Sequence, residues 1–268
     1  MVKGLGIIGL GAMGSALARR MAMSEVVQKR AVFLADVRRE HVASLADQLG
    51  SSVVETEAIG QVADTIILAV KPGQVGQVLS ALRPSLTPEH LLISIAAGIS
   101  LGDLAAATSL SQPIIRAMPN TPCLIGKGAI VLSSNNNVSA AQLELAQRLL
   151  EATGRVWLLP EEQMDAVTAV SGSGPAYVYL FLEALIDGGV AAGLSYSTAT
   201  ELAIQTAIGA IQMMMETEDH PAVLRNMVTS PAGTTAAALR EFEKGNFRST
   251  LIEAVLAAWD RSKELQGE

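Results

Sequence analysis

The chain has 268 residues, half of them apolar, 3% aromatic and 17% charged, which suffices for two domains with sizeable cores. Its formal net charge of −7 argues against a non-specific nucleic-acid binder and against a protein that binds anionic membranes. The single cysteine, Cys123, excludes an intramolecular disulfide and argues against a thiolate metal site, so we expect no metal and a reducing, cytoplasmic setting.

The N-terminal segment has the pattern of a nucleotide-binding loop. The apolar run Leu5–Ile8 predicts a strand, and residues 15–23, which contain no proline or glycine, predict the first helix. Between them, residues 9–14 read GLGAMG, a GxGxxG motif in the strand-to-helix context that indicates a dinucleotide site. Because this motif occupies the apolar start and no small-residue cleavage site follows, we expect no signal peptide.

The second predicted strand, residues 31–35, ends at candidate contacts to a ribose. Asp36 follows Gly14 at about the distance at which an acidic residue meets the ribose hydroxyls of NAD. Arg38 and Arg39 come next, and a guanidinium there pairs instead with the 2′-phosphate of NADP. The acid and the bases argue in opposite directions. Both NADP and NAD therefore stay open, with NADPH slightly favoured.

The first half of the chain alternates between strand and helix patterns. Residues 40–49 and 140–152 predict helices that end before glycines. Further strands are predicted at residues 65–70, 91–95, 114–118, 129–132 and 156–159. This alternation predicts a doubly wound α/β domain whose ligands bind at the carboxyl ends of the strands. Val70-Lys71-Pro72 and Ala96-Ala97-Gly98 both lie at such ends.

From about Glu161 only helical patterns remain, and we predict a domain over residues 1–160 followed by a helical domain over residues 161–268. Residues 176–190 are apolar nearly all round, and residues 198–201 (TATE) offer a capping box for a helix through Met215. A helix that is apolar on every side must be buried on every side. We therefore expect a homodimer with packed helices, the alternative being a compact monomeric helical domain.

A second candidate ligand site precedes a late helix. Residues 230–235 read SPAGTT, a proline turn and a glycine that lead into two hydroxyls and then into good helix formers. Such a turn leaves backbone N–H groups at a helix start aimed at one point, which suits a carboxylate or phosphate. The alternative is that Thr234 or Thr235 merely caps the helix.

Taken together, these motifs resemble pyrroline-5-carboxylate reductases, the last enzymes of proline biosynthesis. The matching segments occur in the family's order over nearly the whole chain. They are residues 9–14 (GLGAMG), 69–72 (AVKP), 116–122 (RAMPNTP), 171–177 (SGSGPAY), 229–235 (TSPAGTT) and 245–249 (GNFRS). The chain departs from the family at Ala232, where members often have glycine, and at Thr56, where some have asparagine.

The resemblance implies an N-terminal Rossmann-type doubly wound sheet followed by an all-helical dimerisation domain, with a homodimer that sometimes assembles into larger rings. It implies cofactor contacts, for NADP or NAD, from Gly9, Leu10, Gly11, Ala12, Met13, Gly14, Asp36, Arg38, Ala69, Val70, Lys71, Pro72, Ala96 and Ala97. It places a small cyclic imine on Ser230, Gly233, Thr234, Thr235, Glu161 and Glu218, with the Thr235 hydroxyl near the ring nitrogen as the catalytic group.

The implied chemistry requires little of the side chains. Reduction of a cyclic imine needs a hydride on carbon and a proton on nitrogen, and a protonated iminium is already a good electrophile, so position does most of the work. Two other classes of protein share part of this pattern. β-Hydroxyacid dehydrogenases share the glycine-rich start but need a lysine in the helical domain, and residues 161–240 contain none. The second class is a regulatory protein that binds the cofactor but catalyses no reaction.

Overall fold

The computed structural model describes residues 4–27 and 31–267. The described chain divides into two compact units. The first comprises the described residues within Met1–Ser173 and Ala258–Glu268, and the second is Gly174–Ala257. The predicted boundary after residue 160 stays a prediction.

The first unit is built on one eight-stranded sheet. Its strands are β1 Leu5–Ile8, β2 Val32–Ala35, β3 Ser52–Val53, β4 Thr65–Leu68, β5 Leu91–Ser94, β6 Ile114–Met118, β7 Gly128–Ser134 and β8 Gly154–Leu158. They lie in the order β3-β2-β1-β4-β5-β6-β7-β8. Neighbours run parallel except β6 and β7, which are antiparallel. From β1 the chain first builds the sheet outwards in one direction, through β2 and β3, and then returns to place β4 on the other side of β1. The strand order therefore reverses at β1, and the prediction of a doubly wound sheet is confirmed.

Seven helices of the first unit cover the sheet. They are α1 Ala12–Met21, α2 Arg39–Leu49, α3 Ile59–Val62, α4 Val75–Leu82, α5 Leu101–Ala107, α6 Ala140–Glu151 and α7 Met164–Val167. All positions of β1, β4 and β5 are buried, as expected for parallel strands covered on both faces. Two apolar clusters, one containing Leu5 and Ile67 and the other Ile66 and Leu92, form the core.

Several predicted boundaries were wrong by a few residues. The first helix begins at Ala12 rather than at residue 15, with Gly11 as its N-cap, because the glycine-rich motif itself supplies the first turn. Strand β4 ends at Leu68, since the next residues turn away from the sheet into the short helical turn Pro72–Gln74.

Cys123 is fully buried and burial raises the pKa of its thiol, in keeping with a packed, unreactive cysteine.

The second unit is helical throughout its regular elements. They are α8 Gly174–Ala191, α9 Tyr196–Thr217, α10 Pro221–Met227, α11 Thr234–Lys244 and the part of α12 Phe247–Gly267 that precedes Ala258. The capping box predicted at Thr198 is wrong. Helix α9 begins three residues earlier, where the Ser195 hydroxyl accepts a hydrogen bond from the Thr198 N–H at 3.2 Å. The Thr198 backbone is therefore already helical, and its own side chain cannot cap.

The second unit leaves most of its apolar side chains exposed. Helix α8 buries no residue, and α9 buries only Ala199 and Ala203. Large exposed side chains include Phe181, Leu185, Ile204 and Ile211. Large apolar side chains exposed in this number indicate an interaction surface.

One segment among the described residues, Glu161–Ala191, is long and apolar enough to cross a membrane by length and composition. The most apolar 18-residue window of this segment has a mean hydropathy of 1.2, and 11% of that window is buried. A single segment of this kind is weak evidence for a membrane span, because helices that are buried in soluble proteins have the same composition.

Candidate active site

The glycine-rich loop packs directly on the chain that follows β4. Gly9 has φ +90°, and a Cβ there would lie 2.6 Å from a methyl of Val70 and 2.8 Å from the Ala69 carbonyl carbon. A Cβ on Gly14 would collide with the Gly9 carbonyl oxygen. Glycine is therefore required at both positions, for a left-handed turn and for close approach of α1. At Gly11 nothing lies within 4 Å of the Cβ position, so the loop backbone is open on that side.

A cavity of about 540 Å³ opens at the carboxyl ends of β1, β2 and β4. This is the edge of a doubly wound sheet at which ligands bind, next to the point where the strand order reverses. Its lining includes seven of the predicted cofactor contacts, Gly9, Gly11, Asp36, Arg38, Ala69, Val70 and Lys71. Its size and the open loop backbone fit the adenosine end and the phosphates of a dinucleotide.

The Asp36 carboxylate is fully engaged by its own chain. Its Oδ2 accepts a hydrogen bond from the Leu10 N–H at 2.6 Å, and its Oδ1 accepts one from the Arg38 N–H at 2.9 Å. The Arg38 guanidinium adds a fork, with Nε 3.0 Å from Oδ1 and Nη2 3.0 Å from Oδ2. Only 6% of the Asp36 side chain is exposed, against 55% of Arg38. Asp36 thus lies beneath an arginine that faces the cavity.

The same cluster fixes the glycine-rich loop. Arg38 Nη2 donates to the Leu10 carbonyl at 2.8 Å, and His41 Nε2 lies 2.9 Å from the same oxygen. Both backbone groups of Leu10 are therefore held by side chains that follow β2. A role for His41 was not predictable, because nothing in its own helix links it to residue 10.

These contacts lower the pKa of Asp36 to about 2. Burial acts in the opposite direction and would raise it. It is outweighed by the hydrogen bonds from the Arg38 side chain and backbone and from the Leu10 N–H, and by the charge of Arg38. A carboxyl whose pKa is lowered by folding contributes stability above its ordinary pKa of 3.8. That contribution is lost as the pH falls towards 2.

We expect Asp36→Asn to lower the free energy of unfolding by about 2 kcal/mol at pH 7, since each pKa unit corresponds to about 1.4 kcal/mol. The difference from the wild type should shrink as the pH falls below about 4. Urea unfolding of both proteins at a series of pH values measures it. Glu57→Gln, which changes an exposed carboxylate on the same cavity, is the control and should have little effect. A loss that is independent of pH would contradict the ion-pair explanation.

The other predicted cofactor residues support or extend this cavity rather than line it. Leu10 is buried and holds Asp36, while Ala12, Met13 and Gly14 form the first turn of α1. Pro72 begins the helical turn that Lys71 precedes. Ala96 is buried after β5, and Ala97 follows it. Their contacts with a cofactor remain predictions.

Sequence reasoning missed one wall of the cavity. It is formed by the residues after β3, by Gln74 and by one face of α4, namely Val54, Glu55, Thr56, Glu57, Gln74, Gln77, Val78 and Ala81. Of these, only Thr56 was named from the sequence, as a departure from the family. Strand β3 has only two residues, too few for an alternating pattern to stand out. Arg39 does not line the cavity and pairs with Glu55 at 3.2 Å.

The second candidate site, in the second unit, is the turn before α11. The Gly233 N–H donates to the Ser230 carbonyl at 3.1 Å, and Ala232 has φ +56°. With Pro231 in the second position, this is the pattern of a type II turn. A Cβ on Gly233 would collide with the Ser230 hydroxyl, so a larger residue there would displace the Ser230 side chain.

Helix α11 begins without a side-chain cap. Gly233 is its N-cap residue, and Thr234 and Thr235 are its first two helical residues. The alternative that one of the two threonines caps the helix is therefore wrong. Among the residues that the structure describes, neither threonine hydroxyl has a hydrogen-bond partner. The N–H groups of the first turn have no acceptor within the helix, which leaves donors at its positive end for an anion.

Ala232 is in a conformation that favours glycine. A left-handed backbone costs a non-glycine residue roughly 1–2 kcal/mol, while glycine makes the unfolded chain more flexible. We expect Ala232→Gly to be neutral or to stabilise the protein by up to about 1 kcal/mol. The control Ala238→Gly, in the exposed interior of α11, should destabilise by about 1 kcal/mol. Thermal unfolding of both variants measures the two effects. If Ala232→Gly destabilises the protein as much as Ala238→Gly does, the backbone at Ala232 is not strained.

The two predicted substrate carboxylates occupy different settings. Glu161 Oε1 accepts a hydrogen bond from the Leu101 N–H at 2.7 Å and pairs with Arg116 Nη1 at 3.3 Å. The Arg116 side chain is only 4% exposed, so Glu161 neutralises a buried charge. Glu218 is exposed and follows α9 with φ +57°. A role of either in substrate binding remains a prediction.

The fold and the cavity define a Rossmann-type dinucleotide-binding protein, and comparisons with known proteins agree. A family model described as NADP oxidoreductase, coenzyme F420-dependent, matches residues 4–98. A second, described as pyrroline-5-carboxylate reductase dimerisation, matches residues 161–265.

Relatives extend the match to nearly the whole chain. The pyrroline-5-carboxylate reductase of Pseudomonas aeruginosa is 44% identical, covering 97% of this chain and 96% of the relative. That of Escherichia coli is 37% identical over 99% of both. The crystal structure of a Plasmodium falciparum pyrroline carboxylate reductase with NADP bound has a TM-score of 0.90 and 36% identity, covering 98% of both chains. The chain belongs to the pyrroline-5-carboxylate reductase family.

Proposed function

We propose that this chain reduces 1-pyrroline-5-carboxylate to L-proline, the last step of proline biosynthesis, with a nicotinamide cofactor. The observation that carries the proposal is the uncapped start of α11, a site for a small carboxylate in a chain that belongs to this family. A dinucleotide cavity in the first unit supplies the other requirement of the reaction. The enzyme is an oxidoreductase that acts on a carbon–nitrogen double bond.

The turn before α11 binds and orients the substrate. Its carboxylate accepts hydrogen bonds from the backbone N–H groups of Thr234 and Thr235, next to Gly233, whose own N–H closes the turn onto the Ser230 carbonyl. The helix dipole adds attraction. The Thr235 hydroxyl, which has no other partner among the described residues, is available to the ring nitrogen. Ser230 contributes its hydroxyl beside Gly233 and thereby shapes the turn.

The bound cofactor supplies a hydride to the ring carbon of the C=N bond, and a proton on the nitrogen completes the amine. The chain's contribution is positioning and electrostatics, because a protonated iminium needs no covalent nucleophile. Residues 9–14 present an open backbone to the pyrophosphate, while Lys71 extends from the end of β4 towards the same cavity.

The Asp36–Arg38 pair favours NADPH over NADH. Both Asp36 oxygens already accept hydrogen bonds, so little acceptor capacity is left for ribose hydroxyls. Arg38 lies above it, more than half exposed. Its Nε and Nη2 are engaged by Asp36 and the Leu10 carbonyl, which leaves Nη1 to donate a charge-assisted hydrogen bond to a 2′-phosphate.

The working form is a homodimer that buries the exposed helices of the second unit, in a cytoplasmic setting. Helices α8 and α9 are apolar all round, and the family model that covers them is one for dimerisation. Burial against a second subunit also accounts for the apolar segment that ends at Ala191. Assembly of dimers into larger rings would use further surface.

The test is an assay with purified protein, 1-pyrroline-5-carboxylate and NADPH or NADH, following both the loss of reduced nicotinamide and the formation of proline. Proline formation in step with NADPH oxidation is expected. β-Hydroxyacids with the oxidised cofactor are the matched alternative substrates. Their turnover in place of imine reduction would support a hydroxyacid dehydrogenase. Cofactor binding without any turnover would support a regulatory protein.

A further inference from the structure

The last turns of α12 belong to the first unit, although most of the helix lies in the second. Ser262 anchors them. Its side chain is buried, with the residue 5% exposed, and its hydroxyl donates to Asp165 Oδ1 at 2.8 Å. Asp165 lies in α7, so a partly buried hydrogen bond ties the C-terminal segment to a helix beside the sheet.

Leu265 packs one turn further along against the loop that follows β5. Gly98 in this loop has φ +76°, and a Cβ there would lie 3.3 Å from the Leu265 carbonyl oxygen and 3.6 Å from its Cβ. The end of α12 therefore lies beside the loop, so close that a side chain on residue 98 would meet it. The three heavy atoms nearest to that Cβ position all belong to Leu265.

The same loop is held at both of its ends. At its start the Ala96 N–H donates to the buried Ser94 hydroxyl at 3.3 Å. At its end the Leu101 N–H, in the first turn of α5, donates to Glu161. Glu161 lies four residues before Asp165, so one short segment holds both the loop and the C-terminal helix. Leu265 then closes the loop from the remaining side.

We propose that the C-terminal turns of α12 position the loop of residues 96–98 for the nicotinamide end of the cofactor, with Ser262 and Leu265 as positioning residues. This rests on the proposed function, which places Ala96 and Ala97 at the cofactor. The loop follows β5 at the ligand-binding edge of the sheet but does not line the cavity that fits the adenosine end. Loss of the C-terminal contact loosens the loop and leaves the adenosine end unaffected.

The experiment compares two ligands that differ in the nicotinamide end. Dissociation constants of NADPH and of 2′,5′-ADP are measured by calorimetry on the full-length wild type, Ser262→Ala and Leu265→Gly. The glycine removes the Leu265 Cβ and loosens the helix end that carries the Leu265 carbonyl. Glu264→Ala is the matched control, an exposed neighbour that pairs with Arg261. We expect Ser262→Ala and Leu265→Gly to bind NADPH about 5- to 10-fold more weakly, a size typical of residues that act through a supporting contact. Binding of 2′,5′-ADP should be unchanged, and the control should resemble the wild type.

A merely structural role predicts a different pattern. If both ligands weaken in parallel, or if neither changes in both variants, the proposal is overturned. Thermal unfolding shows whether each variant is folded. If one variant fails to fold, the other still tests the proposal. Failure of the proposed reaction is distinguishable from failure of this proposal. If the wild-type protein binds NADPH but does not reduce the imine, the comparison of the two ligands remains valid.

Discussion

Replacing Thr235 by alanine is expected to lower kcat by about 10- to 100-fold, the effect of removing a hydrogen bond to a charged group. The hydroxyl is half-buried at the start of α11 and has no partner among the described residues, so its loss disturbs no internal contact. It lies in the second unit, whereas the dinucleotide cavity is lined by the first. The dissociation constant of NADPH should therefore stay nearly unchanged.

The control for this prediction is Thr235→Ser, which keeps the hydroxyl and should retain most of the turnover. Steady-state kinetics and NADPH titration of the three proteins provide the measurement. If the alanine variant loses NADPH affinity as much as it loses turnover, the assignment of substrate and cofactor to different residues is wrong.

Replacing Arg38 by alanine is expected to raise the KM for NADPH by about 10- to 100-fold, because a charge-assisted hydrogen bond to the 2′-phosphate is lost. The KM for NADH should change much less. Some loss with NADH is expected too, since Arg38 also holds Asp36 and the Leu10 carbonyl. The ratio of the two KM values therefore separates recognition of the 2′-phosphate from support of the loop.

Arg39→Ala is the matched control for this experiment. Arg39 is the next residue, is 85% exposed, pairs with Glu55 and does not line the cavity. Its replacement should leave both KM values close to those of the wild type. An equal rise for NADPH and NADH in the Arg38 variant would mean that Arg38 acts only through the glycine-rich loop.

The cofactor half of the fold was predictable because its signals are local. Buried parallel strands appear as short apolar runs, and the GLGAMG motif specifies a left-handed turn and a close helix within six residues. The pairing of Asp36 with Arg38 was not predictable. From the sequence the two side chains compete for one ribose, and only the hydrogen bonds from the Leu10 N–H and the Arg38 guanidinium show that the carboxylate is taken.

The helical half shows where local signals fail. Ser195 and Thr198 are both good N-cap residues three positions apart, and nothing in the sequence favours the earlier one. The positive φ of Ala232 was hidden because alanine does not mark a left-handed turn as glycine does. The return of Ser262 and Leu265 to the first unit leaves no trace in the sequence, since it depends on contacts with residues far away in the chain.

The central claim, that this chain transfers a hydride to a cyclic imine, is tested most directly by isotope tracing. NADPH that carries deuterium at the transferred C4 position is incubated with the protein and 1-pyrroline-5-carboxylate, and the product is analysed by mass spectrometry. The account predicts proline with one deuterium on the former imine carbon for each NADPH oxidised. Oxidation of NADPH without deuterated proline, or no oxidation by a protein that binds NADPH, would contradict it.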